Sequence, residues 1–336
     1  MKSIVDCDRR ALVAKAVRSV LAAGAATALP GLVLAAGEPY PSKPIHLVVP
    51  YPAGGVVDVM ARIVSERMSQ AMGQPIVVEN RPGASANIGT DSVLRAPADG
   101  YTLLMGSPYL ATNPLLMSTT RWKTSDFAGV GLIGAPPNVF VVANDVPVKT
   151  MQEFVAYVKA RPGQLTVSNP GIGTSNHMGQ ELFFSITGLQ MRDVMYKGQP
   201  AMLPDIASGL VSFGLVTSAL AVPQIHEERF RALAVSAPRR LPALPAVPTL
   251  AEAGYADATF LPWYGIVTRS GTPPDVVSKL SDEVMAALAD PAVVARLEKM
   301  GTLLTPAPAG KFDALLSSEA QRWAKLIKER NIQQVG

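Results

Sequence analysis

One stretch decides the fold: Lys43-Pro-Ile-His-Leu-Val-Val-Pro-Tyr-Pro-Ala-Gly-Gly55. Its β-branched run at Ile45–Val49 predicts a strand, and the glycine pair predicts a tight turn. Residues 57–72 then carry apolar side chains at helical spacing and stop before Gly73, a typical glycine C-cap. Such a turn brings backbone N–H groups to a helix N-terminus, where a small anion can be held. The stretch therefore predicts a recognition site.

Strands and helices alternate beyond this stretch. Strands are predicted at 76–78, 101–105, 139–143, 165–168, 211–216 and 232–235, and helices at 89–95, 150–160, 178–186 and 201–207. Thr150 and Glu153 form a capping box at the start of one helix. This alternation favours an α/β fold built from parallel βαβ units. The tail differs, because residues 276–288, 292–300 and 311–329 form amphipathic helices with scarcely any strand between them, and we expect them to wrap an existing sheet.

The length of 336 residues favours two lobes. Residues 260–267 return as an extended segment after the second set of βα units. We therefore expect one lobe to comprise residues 37–138 and 262–336, and the other to comprise residues 139–261. Crossing strands near residues 139 and 262 would then form the hinge.

Residues 1–36 have the pattern of an export signal. Basic residues precede an Ala-rich apolar run that ends in small residues, which predicts a signal peptide cleaved near Ala36 and a periplasmic location. Gly24 and Pro30 interrupt the run, so it is a poor permanent anchor. The Arg9-Arg10 pair leaves both the Sec and the twin-arginine route open.

Charge and cysteine content argue against several classes. Five of the 30 basic residues and two of the 26 acidic residues lie in the leader, which leaves 25 against 24 in the rest of the chain. A nearly neutral chain does not favour nucleic-acid binding. Cys7, the single cysteine, lies in the leader without lipoprotein context, so we expect no disulfide and no lipid anchor.

Motifs for catalysis are weak. His46, His177 and His226 lack metal-ligand spacing, no G-x-S-x-G elbow occurs, and Gly171-Ile-Gly173 lacks the third glycine of a dinucleotide fingerprint. We expect no metal and no cofactor. An exported hydrolase using Ser175 stays an alternative.

Several motifs in a fixed order carry a family resemblance. They are Pro44-Ile-His-Leu-Val-Val-Pro-Tyr-Pro-Ala-Gly-Gly55, Glu79-Asn-Arg-Pro-Gly83, Asp99-Gly-Tyr-Thr-Leu103, Asn113-Pro114, Tyr196-Lys-Gly198 and Ala251-Glu-Ala-Gly254. Together they resemble the Bug family, the periplasmic solute receptors of tripartite tricarboxylate transporters. The resemblance implies a two-domain, type II-like binding protein. It would act as a monomer, close on a small carboxylate between two mostly parallel sheets, and present it to membrane permease subunits.

The resemblance also implies that backbone amides grip the carboxylate. Expected ligand-binding residues in the first lobe are Tyr51, Pro52, Ala53, Gly54, Gly55, Asp58, Ser107 and Tyr109. Those expected in the second lobe are Gly173, Thr174, Ser175, His177, Tyr196 and Lys197. Asp58 and His177 both fall near helix starts, so helix capping or core packing is an alternative for each.

Two departures from the family pattern bear on the ligand. Val56-Val57 stands where relatives often carry a hydroxyl residue, and Ser212 stands where relatives commonly carry aspartate. These changes favour a ligand with an apolar or aromatic body and one carboxylate over a compact tricarboxylate such as citrate. A ligand sensor that serves a signalling partner without transport is a second alternative.

Overall fold

The computed structural model describes residues 39–330 and 332. The predicted signal peptide at 1–36 lies outside the described residues. Within the described part of the chain, no helix combines the length and apolarity that crossing a membrane requires.

Strands and helices are numbered here in chain order. The strands are β1 Ile45–Val49, β2 Ile76–Asn80, β3 Thr102–Gly106, β4 Phe127–Ala135, β5 Asn138–Val142, β6 Thr166–Asn169, β7 Arg192–Met195, β8 Phe213–Thr217, β9 Arg231–Ser236, β10 Tyr264–Arg269 and β11 Leu303–Pro308. The α-helices are α1 Val56–Met72, α2 Asn87–Arg95, α3 Tyr109–Leu116, α4 Met151–Lys159, α5 Ser175–Thr187, α6 Leu203–Ala207, α7 Ser218–His226, α8 Pro274–Ala289, α9 Pro291–Lys299 and α10 Ala309–Arg330.

The strands form two sheets flanked by helices. The first sheet has the order β11-β4-β10-β3-β1-β2, and the second has the order β7-β6-β8-β5-β9. We call the first sheet with its helices the first lobe and the second sheet with its helices the second lobe. The predicted α/β class is confirmed, but the sheets are mixed and not mostly parallel as expected. Antiparallel pairs outnumber parallel pairs in the first sheet and equal them in the second, because the strands at the crossings between the sheets, β4, β5, β9 and β10, pair antiparallel with their neighbours.

In the first lobe, β1 pairs in parallel with both β2 and β3, while β10 runs antiparallel to β3 and β4. Helix α1 buries Met60, Val64 and Met68 at helical spacing, and Gly73 ends the helix in the left-handed conformation at φ 66°. In the second lobe, β6 lies parallel to β7 and β8, and β5 runs antiparallel to β8 and β9. Phe140 and Phe213 are fully buried in its core.

The chain passes between the two sheets at two places. Strand β4 of the first sheet ends at Ala135, and β5 of the second sheet begins at Asn138, with two prolines between them. The return runs from β9 to β10 through residues 237–263. The lobe boundaries and the hinge near residues 139 and 262 stay predictions.

The tail prediction missed one strand. Strand β11 lies between α9 and α10 and pairs antiparallel with β4. It contains Pro306 and Pro308, residues that argue against a strand in the interior of a sheet. Because β11 is at the edge of the sheet, the missing N–H groups cost little. The expectation of scarcely any strand in this tail was therefore wrong, although the helices do pack on the sheet.

Strand β4 was missed for a different reason. Its nine residues include Gly129, Gly131 and Gly134, which weaken the strand pattern. A Cβ at Gly131 would lie 2.7 Å from Val284 Cγ1 on α8. The glycine is therefore required by the close approach of a helix, which a local pattern does not contain.

Candidate functional site

Loops at the carboxyl ends of parallel strands form the candidate site. Such edges are where open α/β sheets bind ligands. The first lobe contributes loops after β1, β2 and β3, and the second contributes loops after β6 and β7. The two sets meet, because Thr112 Oγ1 of α3 donates a hydrogen bond of 2.9 Å to the carbonyl oxygen of Gly173. The side chains of Tyr264 in the first lobe and Ser175 in the second also interact across the lobes.

The turn after β1 contains Pro52, Ala53 and Gly54, all exposed, and Gly55, which caps α1. Gly54 has φ +78°, a conformation that favours glycine. Its N–H donates to Asp58 Oδ2 at 2.9 Å. One of the amides predicted to hold the ligand therefore already has a partner inside the chain.

Asp58 is 3% exposed and lies at the centre of a small network. It also accepts hydrogen bonds from Arg62 and from Asn80 Nδ2, the latter at 2.9 Å. Burial raises the pKa of the Asp58 carboxyl, but the hydrogen bonds from Arg62, Gly54 and Asn80 outweigh it and the net pKa lies below its ordinary value. The ionised carboxylate stabilises the turn, and its direct contact with a ligand stays a prediction.

Aromatic and hydroxyl side chains line the first lobe beside this turn. The Tyr51 hydroxyl and Ser107 Oγ lie 2.9 Å apart, and Ser107 is buried directly after β3. The Tyr51 ring meets the Tyr109 ring edge to face, with centroids 6.1 Å apart. Tyr109 is itself buried, and its hydroxyl accepts from Thr90 Oγ1 at 3.0 Å. Tyr109 therefore supports Tyr51 from the core side.

Tyr264 links this group to the second lobe. It lies on β10, is 6% exposed and interacts through its side chain with Ser175 at the start of α5. Burial raises the pKa of Tyr264 to about 12 and also raises the pKa of Tyr51. Both hydroxyls therefore stay neutral at ordinary pH and can donate a hydrogen bond to an anion. The sequence offers Tyr264 as an aromatic candidate for the cleft, but it does not give the partner of this side chain.

The loop after β6 shapes the start of α5. Gly173 is buried with φ +76°, and Thr174 is the N-cap, whose Oγ1 accepts from the His177 N–H at 3.3 Å. Because of this cap, α5 begins at Ser175, three residues earlier than the apolar pattern predicted. Ser175 is 5% exposed and lies in the first turn.

His177 lies inside this loop and is 7% exposed. Its Nδ1 accepts the Gly173 N–H at 3.2 Å, which requires an unprotonated Nδ1. Burial lowers the pKa of His177 to about 4. The imidazole is therefore neutral at ordinary pH and holds the loop, and direct ligand contact stays a prediction.

Tyr196 and Lys197 directly follow β7 and lie beside the loop after β6. The Tyr196 N–H donates to the carbonyl oxygen of Asn169 at 2.8 Å, which continues the pairing of β7 with β6. The Tyr196 hydroxyl donates to Asp205 Oδ2 at 2.6 Å, and Lys197 is exposed. Their ligand contacts also stay predictions.

Sequence analysis missed a strained turn after β2. Ala84, Ser85 and Ala86 have φ values of 46°, 51° and 78°, in a region that non-glycine residues rarely adopt. Asn113 Nδ2 of α3 donates to the Ser85 carbonyl oxygen at 2.7 Å and so holds the turn. Consecutive strained residues are typical of functional loops. Alanine and serine carry no sequence pattern that predicts this conformation.

A separate groove of about 620 Å³ lies on the first lobe between α3, β4 and α10. Its lining includes Lys123, Phe127 and Gln321, away from the strand ends that form the candidate site. Among the described residues, no group of three His, Cys, Asp or Glu side chains could hold a metal ion.

Sequence similarity to known proteins agrees with this geometry. A family model described as "Tripartite tricarboxylate transporter family receptor" matches residues 60–332. The chain is 34% identical over 295 residues to Protein BugT of Bordetella pertussis, covering 87% of this chain and 90% of that one. It is 35% identical over 294 residues to a protein in the tcbD-tcbE intergenic region of Pseudomonas sp. strain P51, covering 87% and 88%.

Solved structures agree. The periplasmic binding protein BugD superposes with a TM-score of 0.80 at 30% identity, covering 88% of this chain and all of that one. The R. palustris protein Rpa4515 with adipate gives 0.82 at 32% identity, covering 88% and 100%. MatC from Rhodopseudomonas palustris with bound malate gives 0.79 at 28% identity, covering 86% and 100%.

Proposed function

This chain belongs to the tripartite tricarboxylate transporter receptor family, and we propose that it binds one small carboxylate between its two lobes and delivers it to a membrane permease. Members of this family are solute-binding receptors, and two similar structures hold adipate and malate. The predicted signal peptide at 1–36 would direct the chain to the periplasm.

One observation carries the proposal: the loop before α5 meets the first lobe beside the neutral hydroxyls of Tyr51, Ser107 and Tyr264. Helix α5 has 13 residues, so its N-terminus carries a partial positive charge worth about 0.3–1 kcal/mol for an anion, and more when partly buried. Hydroxyl and amide donors together can hold a carboxylate without an arginine.

The first-lobe turn would take part differently. Asp58 accepts the Gly54 N–H, so a ligand carboxylate placed there would face an ionised carboxylate. We therefore infer that the ligand carboxylate is held mainly by the second lobe, at Thr174 and Ser175. The first lobe would contact the body of the ligand.

The body of the ligand would be apolar or aromatic. Val56 is half-buried at the start of α1, and in the same lobe the ring of Tyr51 packs edge to face on Tyr109. Adipate, held by a relative, has a four-carbon apolar chain between its carboxylates. Burial of apolar surface contributes about 25 cal/mol of favourable binding free energy for each Å² removed from water. Citrate is compact and polar, so it offers little apolar surface to bury.

Calorimetric titration tests the proposal. Hexanoate and benzoate represent monoacids with an apolar body, adipate and malate represent the relatives' ligands, and citrate represents a compact tricarboxylate. We expect saturable binding of at least one monoacid, with citrate weaker by about tenfold or more. Native mass spectrometry should recover the ligand unchanged. Tight citrate binding with no response to any monoacid would contradict the ligand class, and turnover of an ester or amide would contradict a receptor.

A further inference from the structure

We propose that Thr112 and Asn113 of α3 are positioning residues, which hold the Gly171–Thr174 loop of the second lobe in the arrangement of the closed cleft. This inference rests on the proposed function, because it concerns how the binding loop is placed. Neither residue was among the expected ligand-binding residues.

Thr112 provides the hydrogen bond. A threonine inside a helix ordinarily bonds the carbonyl one turn earlier, and Pro108 O lies 3.2 Å from Thr112 Oγ1. The carbonyl oxygen of Gly173, in the other lobe, is closer at 2.9 Å. Thr112 is fully buried, so no solvent competes for this hydroxyl. The contact therefore ties α3 to the loop across the lobe boundary.

Asn113 restricts the space beside Gly173. Its Nδ2 donates to the Ser85 carbonyl oxygen at 2.7 Å, which orients the amide so that Oδ1 lies toward Gly173. Oδ1 is fully buried and has no hydrogen-bond partner in the structure. A Cβ on Gly173 would lie 2.4 Å from this oxygen and 3.2 Å from Thr112 Oγ1. Only a glycine can approach the pair this closely.

The same loop carries the proposed ligand contacts. The Gly173 N–H donates to His177 Nδ1, and Thr174 caps α5. Holding Gly173 from the first lobe therefore fixes the first turn of α5. On the other side, Asn113 holds Ser85 in the strained turn after β2. Two neighbouring residues thus connect the loops of both lobes.

Double electron–electron resonance, which measures the distance between two spin labels, tests the inference in the ligand-free chain. The full chain carrying Cys7→Ser has no cysteine, so spin labels can be placed through Ser278→Cys on α8 and Lys159→Cys on α4. Both positions are exposed, one in each lobe. The labels report the distribution of lobe separations in the ligand-free chain and again with adipate as the probe.

Two pairs of variants separate positioning from general destabilisation. Gly173→Ala should lower the closed population at least tenfold, because the new methyl group overlaps Asn113. Its control is Gly163→Ala, in the second lobe with φ +69° and nothing within 4 Å, which carries similar backbone strain without the overlap. Thr112→Val should lower the closed population by about two- to tenfold, as expected for one lost hydrogen bond, and Thr112→Ser should restore it.

The outcomes are distinct. If Gly173→Ala does not fold, the isosteric Thr112→Val carries the test by itself. Unchanged lobe separations in Thr112→Val, or equal effects of Gly173→Ala and Gly163→Ala, would overturn the inference. If the separations change as expected but none of the five acids named above binds, the positioning role stands and the proposed function fails.

Discussion

Two glycine-containing loops precede helices at the candidate site, and they differ in what holds them. The turn at residues 52–55 in the first lobe is largely exposed, and its own helix supplies Asp58 to hold it. The loop at residues 171–174 in the second lobe is held by Thr112 from the other lobe and by His177 from within. Similar local sequences therefore produce one self-contained turn and one loop that depends on lobe contact.

The largest expected difference between the two loops is in how the free energy of unfolding depends on pH. The pKa of His177 is lowered to about 4 in the folded chain, against about 6.5 in the unfolded chain. The unfolded chain binds the extra proton first, so the free energy of unfolding should fall between pH 6.5 and pH 4, by about 3 kcal/mol at most. Glu181 Oε1 lies 3.9 Å from His177 Nε2 and would offset part of this loss.

His177→Asn keeps an acceptor near the position of Nδ1 but does not titrate in this range. Urea unfolding of both chains from pH 7 to pH 4 should therefore show a smaller decline in the variant. Equal declines would mean that His177 does not hold the loop. Asp58 has the same sign but a lower range, since its lowered pKa also gives stability that is lost as the pH falls, here below the ordinary range for aspartate.

Removal of the first-lobe carboxylate should come next in size. Asp58→Ala removes the acceptor of the Gly54 N–H and one acceptor each of Arg62 and Asn80, and we expect the free energy of unfolding to fall by about 2 kcal/mol. Urea unfolding at pH 7 measures the loss. Asp58→Asn, which retains one acceptor oxygen, should lose less. An Asp58→Ala chain as stable as the parent would show that the turn does not depend on this carboxylate.

Tyr51→Phe is expected to cost about 1 kcal/mol, because Ser107 loses a buried hydrogen-bond partner. Tyr101→Phe is the control in the same lobe, where the lost partner is Ser42 and no ligand contact is expected. If Tyr51 also contacts the ligand, its variant should lower ligand affinity while Tyr101→Phe leaves ligand affinity unchanged. Thermal unfolding with and without adipate compares them, and equal ligand-induced shifts in both variants would refute the role of Tyr51.

Lys197→Ala should have the smallest effect. Lys197 is exposed, so stability should change by no more than about 0.5 kcal/mol. If amides and hydroxyls hold the carboxylate, affinity in calorimetric titration should change less than about threefold. A loss of tenfold or more would show that a lysine side chain carries the charge contact, and the comparison of the two loops would then need revision.

Local pattern was sufficient for much of the fold. The strand at Ile45–Val49 matches its prediction, and the cap at Thr150 accepts the Glu153 N–H at 3.1 Å as the capping box predicted. These features depend on residues within a few positions of one another. Strand β4 was missed because it contains glycines, which the close approach of a helix requires. Strand β11 was missed because it contains prolines, which are acceptable at the edge of a sheet. Neither the helix contact nor the position at the edge can be read from neighbouring residues.

Sequence by itself determined the α/β class, the family and the two segments that hold the glycine turns, since periodicity and motif order are written along the chain. Tertiary structure decided which groups in those segments are available to a ligand and which distant residues contact them. Asp58 occupies the Gly54 amide, Tyr264 joins from β10, and Thr112 reaches Gly173 across 61 residues of sequence. These contacts depend on where distant elements pack, and a single sequence does not state those positions.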